Sequence, residues 1–217
     1  MDDGNRIASV EWRDGTPVAT RFADPYYSFG SGVAEARHVF LAGNGLPARL
    51  RDGFRIAELG FGTGLNALVT ANAWAGPGTL RYTAFEAWPM VRDDMARALA
   101  AFPVIDAAPL LDVWPAERIA LPGMDLRIVH GDARATLPGW DGRADAWYLD
   151  GFAPARNPEM WGADLMAEAA RHTALGGTFA TYTAAGHVRR ALDAAGFAVE
   201  RVAGFGRKRH MTRGVLR

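Results

Sequence analysis

Seven consecutive residues, Glu58-Leu59-Gly60-Phe61-Gly62-Thr63-Gly64, carry the clearest chemistry in the chain. They follow a short apolar stretch, Phe54 to Leu59, that reads as a strand, and run straight into a helical stretch, Leu65 to Trp74. Glycines in that setting let the backbone pass close beneath a ligand, because a Cβ would clash or forbid the needed φ. A tight strand-to-helix turn uses the same glycines with no ligand at all. Spacing narrows the choice: a dinucleotide fingerprint, G-x-G-x-x-G, needs glycine at position 65, which is Leu, and the Walker lysine of a triphosphate site is missing. Two further acids fall in register. Glu86 ends the next strand, Leu80 to Glu86, where a carboxylate can accept both hydroxyls of a ribose. Asp132, in His130-Gly131-Asp132-Ala133 after a third strand, is placed to accept from an adenine amino group. A solvated strand-end Glu and a Gly-Asp turn are the plain structural readings of the same residues.

The fourth strand, Ala144 to Leu149, delivers Asp150-Gly151-Phe152-Ala153-Pro154 at its carboxyl end. The order acid-x-G-x-G-x-G upstream resembles class I methyltransferases, and amine methyltransferases keep a D/N-P-P-Y/F segment at this strand end to hold the nucleophile. Methyl transfer from a sulfonium is an in-line displacement that needs an uncharged amine lone pair, so positioning dominates. Asp150 can accept a hydrogen bond from the amine and take or relay its proton. Phe152 can stack on a flat substrate such as a nucleobase. Outside that context Asp150 reads as a turn acid and Phe152 as a core aromatic. The histidines, His38, His130, His172, His187 and His210, show no metal-ligand spacing, and no Gly-x-Ser-x-Gly elbow or cysteine supports a hydrolase.

The elements that must position these residues alternate. Strands at Phe54 to Leu59, Leu80 to Glu86, Leu126 to Val129, Ala144 to Leu149, Thr178 to Thr183 and Phe197 to Val202, with one more at the C-terminus, make seven. Helices near Leu65 to Trp74, Val91 to Ala101, Asp164 to His172 and Ala185 to Ala195 separate them, the last ending at Gly196. This predicts an α/β, Rossmann-like fold with a mostly parallel seven-stranded sheet, helices on both faces, and ligands beyond the carboxyl ends of the strands. Before it, Ile7 to Trp12 and Thr16 to Phe22 flank Asp14-Gly15 as a hairpin, and Asp24 to Gly45 reads as an irregular segment over the site. The expected organisation is one domain over 1–217, with hairpin and lid in 1–53 and the core in 54–217.

Bulk composition sets outer limits. Hydrophobic residues are 49% and charged residues 22%, ordinary for a globular chain. No apolar run reaches the roughly 18 to 20 residues of a membrane helix. Met1-Asp2-Asp3-Gly4-Asn5-Arg6 lacks the basic start and apolar core of a signal peptide, and the cysteine count is zero, so the cytoplasm is the expected compartment. Formal net charge is zero, yet Arg201 to Arg217 carries Arg201, Arg207, Lys208, Arg209, Arg213 and Arg217 with no acid between them. Such a stretch can meet phosphates or form a solvated tail.

Taken together, several motifs resemble the tRNA 5-methylaminomethyl-2-thiouridine methyltransferases, found alone or fused to a flavin-dependent oxidase. The similarity runs from Asp24-Pro25-Tyr26-Tyr27-Ser28-Phe29-Gly30-Ser31-Gly32 and Arg37-His38-Val39-Phe40 through the glycine loop with Leu65-Asn66. It continues through Asp150-Gly151-Phe152-Ala153-Pro154, Asn157-Pro158-Glu159-Met160-Trp161, Thr183-Ala184-Ala185-Gly186 and Gly204-Phe205-Gly206-Arg207-Lys208-Arg209. The resemblance implies transfer of a methyl from S-adenosylmethionine to the aminomethyl nitrogen on carbon 5 of a wobble uridine. It implies a cofactor site formed by Tyr27, Glu58, Gly60, Gly62, Gly64, Asn66, Glu86, Asp132 and Asp150. Asp150 is then the catalytic, amine-facing acid, and Phe152, Pro154, Arg207, Lys208 and Arg209 meet the tRNA; no metal is expected. A stand-alone methyltransferase without the flavin domain is expected, linked to a separate enzyme that supplies the aminomethyl group. Position 210 is His where the family has Glu. Methylation of another small amine or nucleobase, or cofactor binding without turnover, are the alternatives.

Overall fold

The computed structural model describes residues 6–217, so Met1 to Asn5, part of the stretch read as lacking a signal sequence, lie outside the described residues. The N-terminal hairpin pairs β1 (Val10–Arg13) with β2 (Thr16–Ala19), closed by Asp14 at φ 47° and Gly15 at φ 74°. Two consecutive left-handed residues are what a tight hairpin turn of matching twist requires. A two-residue strand, β3 (Asp24–Pro25), adds to β2. The segment expected to be irregular is largely helical. It runs as α1 (Gly32–Ala36), a wider turn at Arg37–Leu41 and a tight turn at Ala42–Asn44 before Gly45 ends it at φ 67°. Val33, Ala36, Val39, Phe40 and Leu41 are all buried, and this apolar face holds the helix despite its flanking glycines.

The main sheet is built from β4 (Arg55–Leu59), α2 (Leu65–Ala73), β5 (Leu80–Glu86), α3 (Arg92–Leu99), α4 (Ala108–Leu111), β6 (Arg118–Leu121) and β7 (Met124–His130). It continues with α5 (Ala133–Thr136), β8 (Ala144–Leu149), α6 (Ala163–Arg171), β9 (Thr173–Thr181), α7 (Gly186–Ala194), β10 (Phe197–Ala203) and β11 (His210–Leu216). Its order is β10-β11-β9-β8-β4-β5-β7-β6, eight strands and not the seven expected. The addition is β6, four residues long, which folds back on β7 around Gly123 at φ 68° and pairs antiparallel at the sheet edge. Strands β7, β5, β4, β8 and β9 pair in parallel, while β11 is antiparallel to both neighbours.

One core lies on each face of the sheet. On one side Tyr82, Ile128 and Tyr148 pack with Leu68 of α2, Met95 of α3 and Val33 of α1. On the other, Trp147, Phe179 and Phe197 pack with Leu165 and Met166 of α6 and Leu192 of α7. Burial of each such side chain stabilises the fold by about 1.5–3 kcal/mol. Chain direction diverges at β4, from which β5 lies on one side and β8 on the other. A crevice therefore opens beyond the carboxyl ends of three adjacent strands. No helix among the described residues is long and apolar enough to cross a membrane.

Candidate functional site

The glycine loop leaves β4 with Gly60, Gly62 and Gly64 at φ 81°, 55° and 76°. These are conformations in which an L side chain is strained. Space is short as well. A Cβ on Gly60 would sit 3.3 Å from the Asp150 carbonyl, one on Gly62 3.1 Å from the Tyr26 ring, and one on Gly64 2.7 Å from Leu110. Gly60 and Gly62 line the crevice, whereas Gly64 packs behind it.

Three carboxyl groups gather at the ends of β4, β5 and β8. Glu58 is fully buried and does not reach the crevice wall. The Asn66 amide nitrogen, in the first turn of α2, donates to Glu58 Oε1 at 2.7 Å and to Asp150 Oδ2 at 2.8 Å. Glu58 Oε2 and the Tyr82 hydroxyl are both buried and face each other. Burial, and then the charge of Asp150, push the Glu58 carboxyl well above the ordinary carboxylate range. Asp150 opens onto the crevice, and its Oδ1 accepts from the Gly151 N–H at 2.8 Å. Burial raises it to about 7 against the opposing pull of the Gly151 and Asn66 donors. Glu86 accepts from the Gly62 N–H at 2.9 Å and the Trp88 N–H at 2.7 Å; burial raises it, and those donors hold the rise in check.

The turn after β8 is braced from three directions. Asp24 accepts from the Ala153 N–H at 2.7 Å, the Tyr182 hydroxyl donates to the Gly151 carbonyl at 2.7 Å, and the Trp161 indole donates to the Phe152 carbonyl at 2.9 Å. Phe152 stacks on Phe22, with ring centroids 4.7 Å apart, and meets the edge of Tyr26 at 5.1 Å. One face of Phe152 is thus already covered by Phe22, in the turn between β2 and β3. Lys208 ion-pairs with Glu35 at 2.8 Å and lies 3.9 Å over the Tyr182 ring, while Glu35 also accepts from the Ser28 N–H at 3.0 Å. Burial opposes ionisation of Glu35, but the Lys208 ammonium and these donors outweigh it and hold the carboxyl below its ordinary value.

Of the residues singled out from sequence, the crevice collects Tyr27, Gly60, Gly62, Asn66, Glu86, Asp132, Asp150, Phe152, Arg207 and Lys208. Glu58, Gly64, Pro154 and Arg209 do not line it. Tyr27 contributes its ring, because its hydroxyl donates to the Ala98 carbonyl at 3.1 Å. Asp132 caps α5 through the Arg134 N–H and is gripped by the Arg134 guanidinium at 2.6 Å, which holds its carboxyl below the ordinary range. The basic stretch near the C-terminus does not act as one patch: Lys208 is paired inward, while Arg207 is exposed with no ion-pair partner among the described residues. Asp24, Glu35 and Tyr182 join the site with no role legible in the sequence. Asp24 stands in a recognisable motif and Tyr182 beside one, but nothing in the spacing around Glu35 marks it. No group of three or more His, Asp or Glu that could hold a metal ion occurs among the described residues.

The crevice encloses about 1130 Å³, more than the roughly 300–1,000 Å³ of a single small-molecule site, so two reactants fit side by side. S-adenosylmethionine suits one half. Each Glu86 oxygen accepts one backbone N–H and keeps a lone pair for a ribose hydroxyl, and the bare glycine backbone leaves room beneath it.

Comparison with known proteins agrees with this geometry. Residues 107–217 match the family model of S-adenosyl-L-methionine-dependent methyltransferases. The chain is 46% identical over 219 residues to the tRNA 5-methylaminomethyl-2-thiouridine biosynthesis bifunctional protein MnmC of a Caulobacter species, covering 91% of this chain and 36% of that protein. It is 47% identical over 230 residues to the protein of the same name from Aromatoleum aromaticum, covering 98% and 35%. The chain therefore spans about a third of the length of these curated relatives. In fold it is similar to MnmC2 from Aquifex aeolicus, with a TM-score of 0.75 at 23% identity over 99% of this chain and 72% of that one. A more distant likeness, TM-score 0.52 at 14% identity over 88% and 92%, is to an S-adenosylmethionine-bound aminopentose methyltransferase from Micromonospora echinaspora. A glycine turn beneath a two-reactant crevice, an acid in register for a ribose, and the matching family model lead to one assignment: the chain belongs to the S-adenosyl-L-methionine-dependent methyltransferases.

Proposed function

We propose that the chain methylates the aminomethyl nitrogen on carbon 5 of the wobble uridine in tRNA, converting 5-aminomethyl-2-thiouridine to 5-methylaminomethyl-2-thiouridine. The observation that carries this reading is the Asp150 carboxylate, fixed by Asn66 and Gly151 in a crevice large enough for a nucleoside beside the cofactor. The names of the relatives at 46% and 47% identity support it. S-adenosylmethionine supplies an electrophilic methyl; the chain's own residues supply placement and a proton acceptor. An amine arriving as an ammonium ion pairs with Asp150 and loses its proton to that carboxylate, which frees the lone pair. Asn66 fixes the direction of the accepting oxygen, and Glu58 acts through Asn66 without touching either reactant. Phe152 offers its free side to the uracil ring, and Arg207 lies where a phosphate follows. Glu86 takes the ribose of the cofactor, Asp132 lies at the adenine end, Tyr27 forms a wall, and the glycine loop is the floor.

The substrate amine must come from an enzyme that installs an aminomethyl group on uridine, and the cytoplasm is where this work belongs. The test is incubation of the pure chain with methyl-labelled cofactor and bulk tRNA from a strain lacking this modification, followed by nucleoside analysis. Label is expected in 5-methylaminomethyl-2-thiouridine alone; label in a different nucleoside, or none, overturns the proposal.

The Glu86 assignment has its own measurement. Glu86→Ala is expected to weaken binding of S-adenosylhomocysteine by about 10- to 100-fold, the equivalent of about 1.5–3 kcal/mol for hydrogen bonds to a charged group. Glu86→Gln, which keeps one acceptor, should fall between. Titration calorimetry that returns the unsubstituted dissociation constant for Glu86→Ala refutes the ribose role.

A further inference from the structure

Five side chains form a continuous stack along one lip of the crevice. Phe152 lies against Phe22 at 4.7 Å with the rings 25° from parallel. The Arg21 guanidinium follows, 5.7 Å from the centre of the Phe22 ring and 4.6 Å from the centre of the Trp88 ring. Arg6 covers Trp88 in turn at 5.3 Å. All five line the same crevice, so the ladder runs from the turn that carries Asp150 outward to solvent. Rings alternating with guanidinium groups are the surface that single-stranded nucleic acid prefers. The rings hold the guanidinium groups by their faces, and an arginine so held turns its N–H donors outward to the phosphates.

The charges around the crevice fit the same ligand. Its acids are mostly engaged within the protein: Asp24 by a backbone N–H, Glu35 by Lys208, Asp132 and Glu159 by Arg134. Arg21 has no hydrogen-bond or ion-pair partner among the described residues, and its two stacking contacts already hold it in place. A cation fixed by stacking and not by a carboxylate keeps its donors available and loses little freedom on meeting a phosphate. The crevice thus has an anion at its floor, Asp150, and an uncompensated cation on its lip.

We infer that the Phe22-Arg21-Trp88-Arg6 ladder is the track along which the single-stranded RNA flanking the target uridine lies, with Arg21, held between the Phe22 and Trp88 rings, on a backbone phosphate. This rests on the proposed tRNA substrate and adds the surface that grips it. The opposing possibility is a clasp that only fastens the N-terminal hairpin to the core.

The two are separated by measuring retention of bulk tRNA by the full chain across a salt series. Arg21→Ala is expected to weaken binding about tenfold and to flatten the slope of log affinity on log salt by about 0.7, one single-strand phosphate contact. Arg21→Lys keeps the charge and should restore the slope. Trp88→Ala, which removes one of the two rings that hold Arg21, should weaken binding less than Arg21→Ala does and leave most of the salt slope in place. An unaltered slope and affinity in Arg21→Ala overturns the track, as does a loss confined to S-adenosylhomocysteine binding. Methylation of the same tRNA is read alongside. If the unsubstituted chain methylates tRNA while Arg21→Ala retains it normally, the track falls and the substrate assignment stands; if the unsubstituted chain neither retains nor methylates tRNA, both fall.

Discussion

Asp150→Ala is expected to lower the methylation rate by about 10³-fold, inside the 10²–10⁴ range of a positioned proton acceptor, and to leave S-adenosylhomocysteine affinity within a few-fold of the unsubstituted chain. The asymmetry follows from position. The carboxylate reaches the crevice at the tip of β8, on the side of the glycine loop away from Glu86, and its hydrogen bonds go to Asn66 and Gly151. Asp150→Asn tests the proton-accepting part separately, because it keeps the shape but cannot take a proton at neutral pH. Single-turnover rates for both variants, set beside equilibrium binding of S-adenosylhomocysteine, decide the matter. A variant that turns over at the unsubstituted rate would falsify the assignment, and a parallel collapse of cofactor affinity would move Asp150 to the cofactor's side.

The same carboxylate should make the fold less stable as pH rises. In the folded chain its pKa is raised from 3.8 to about 7, so the native state holds the proton more tightly than the unfolded chain does. Stability linked to this group is therefore fully present below the unfolded value and is lost as pH climbs through the folded one. A shift of about three units corresponds to at most ~4 kcal/mol, and relaxation of the crevice and access of water reduce that to roughly 2–3 kcal/mol. Asp150→Asn removes the penalty. It is expected to raise stability by that amount at pH 8 and by much less at pH 4, read as the difference in urea midpoint at the two values. An equal gain at both would show that repacking, not ionisation, is responsible. Activity and stability thus pull in opposite directions at one residue, as they do wherever a charged group is held ready in a poorly solvated place.

What could be read from the chain before its structure was local. Gly60, Gly62 and Gly64 announce a turn with left-handed conformations, and all three adopt them. Glu86 and Asp150 end strands whose apolar runs are unmistakable, so their place at the crevice follows from the parallel order of the sheet. The edge strand β6 is not legible because its alternation spans only four residues and one of its two exposed positions is Ala120, although Pro122-Gly123 marks the turn behind it. The helical course of Gly32–Asn44 was hidden by its glycines, which suggest a loop until Val33, Ala36 and Phe40 are seen packing inward. The remaining gaps are matters of distance along the chain. Asn66 joins Glu58 to a residue 84 positions away, Lys208 finds Glu35 across 173, and Asp24 supports a turn 129 residues on. Pairings of that reach depend on how layers stack, and no local pattern of residue types encodes them.

The Lys208–Glu35 clasp offers a chemical handle of unusual selectivity. Lys208 is the one lysine in the chain, so an acylating reagent finds a single side-chain ammonium, standing at the opening of the crevice. Its nitrogen is held by Glu35 and covered by the Tyr182 ring, and a nitrogen so engaged reacts only while the contact is undone. The speed of labelling then counts how often the roof over the amine lifts, and a guest that shuts it would slow the dye.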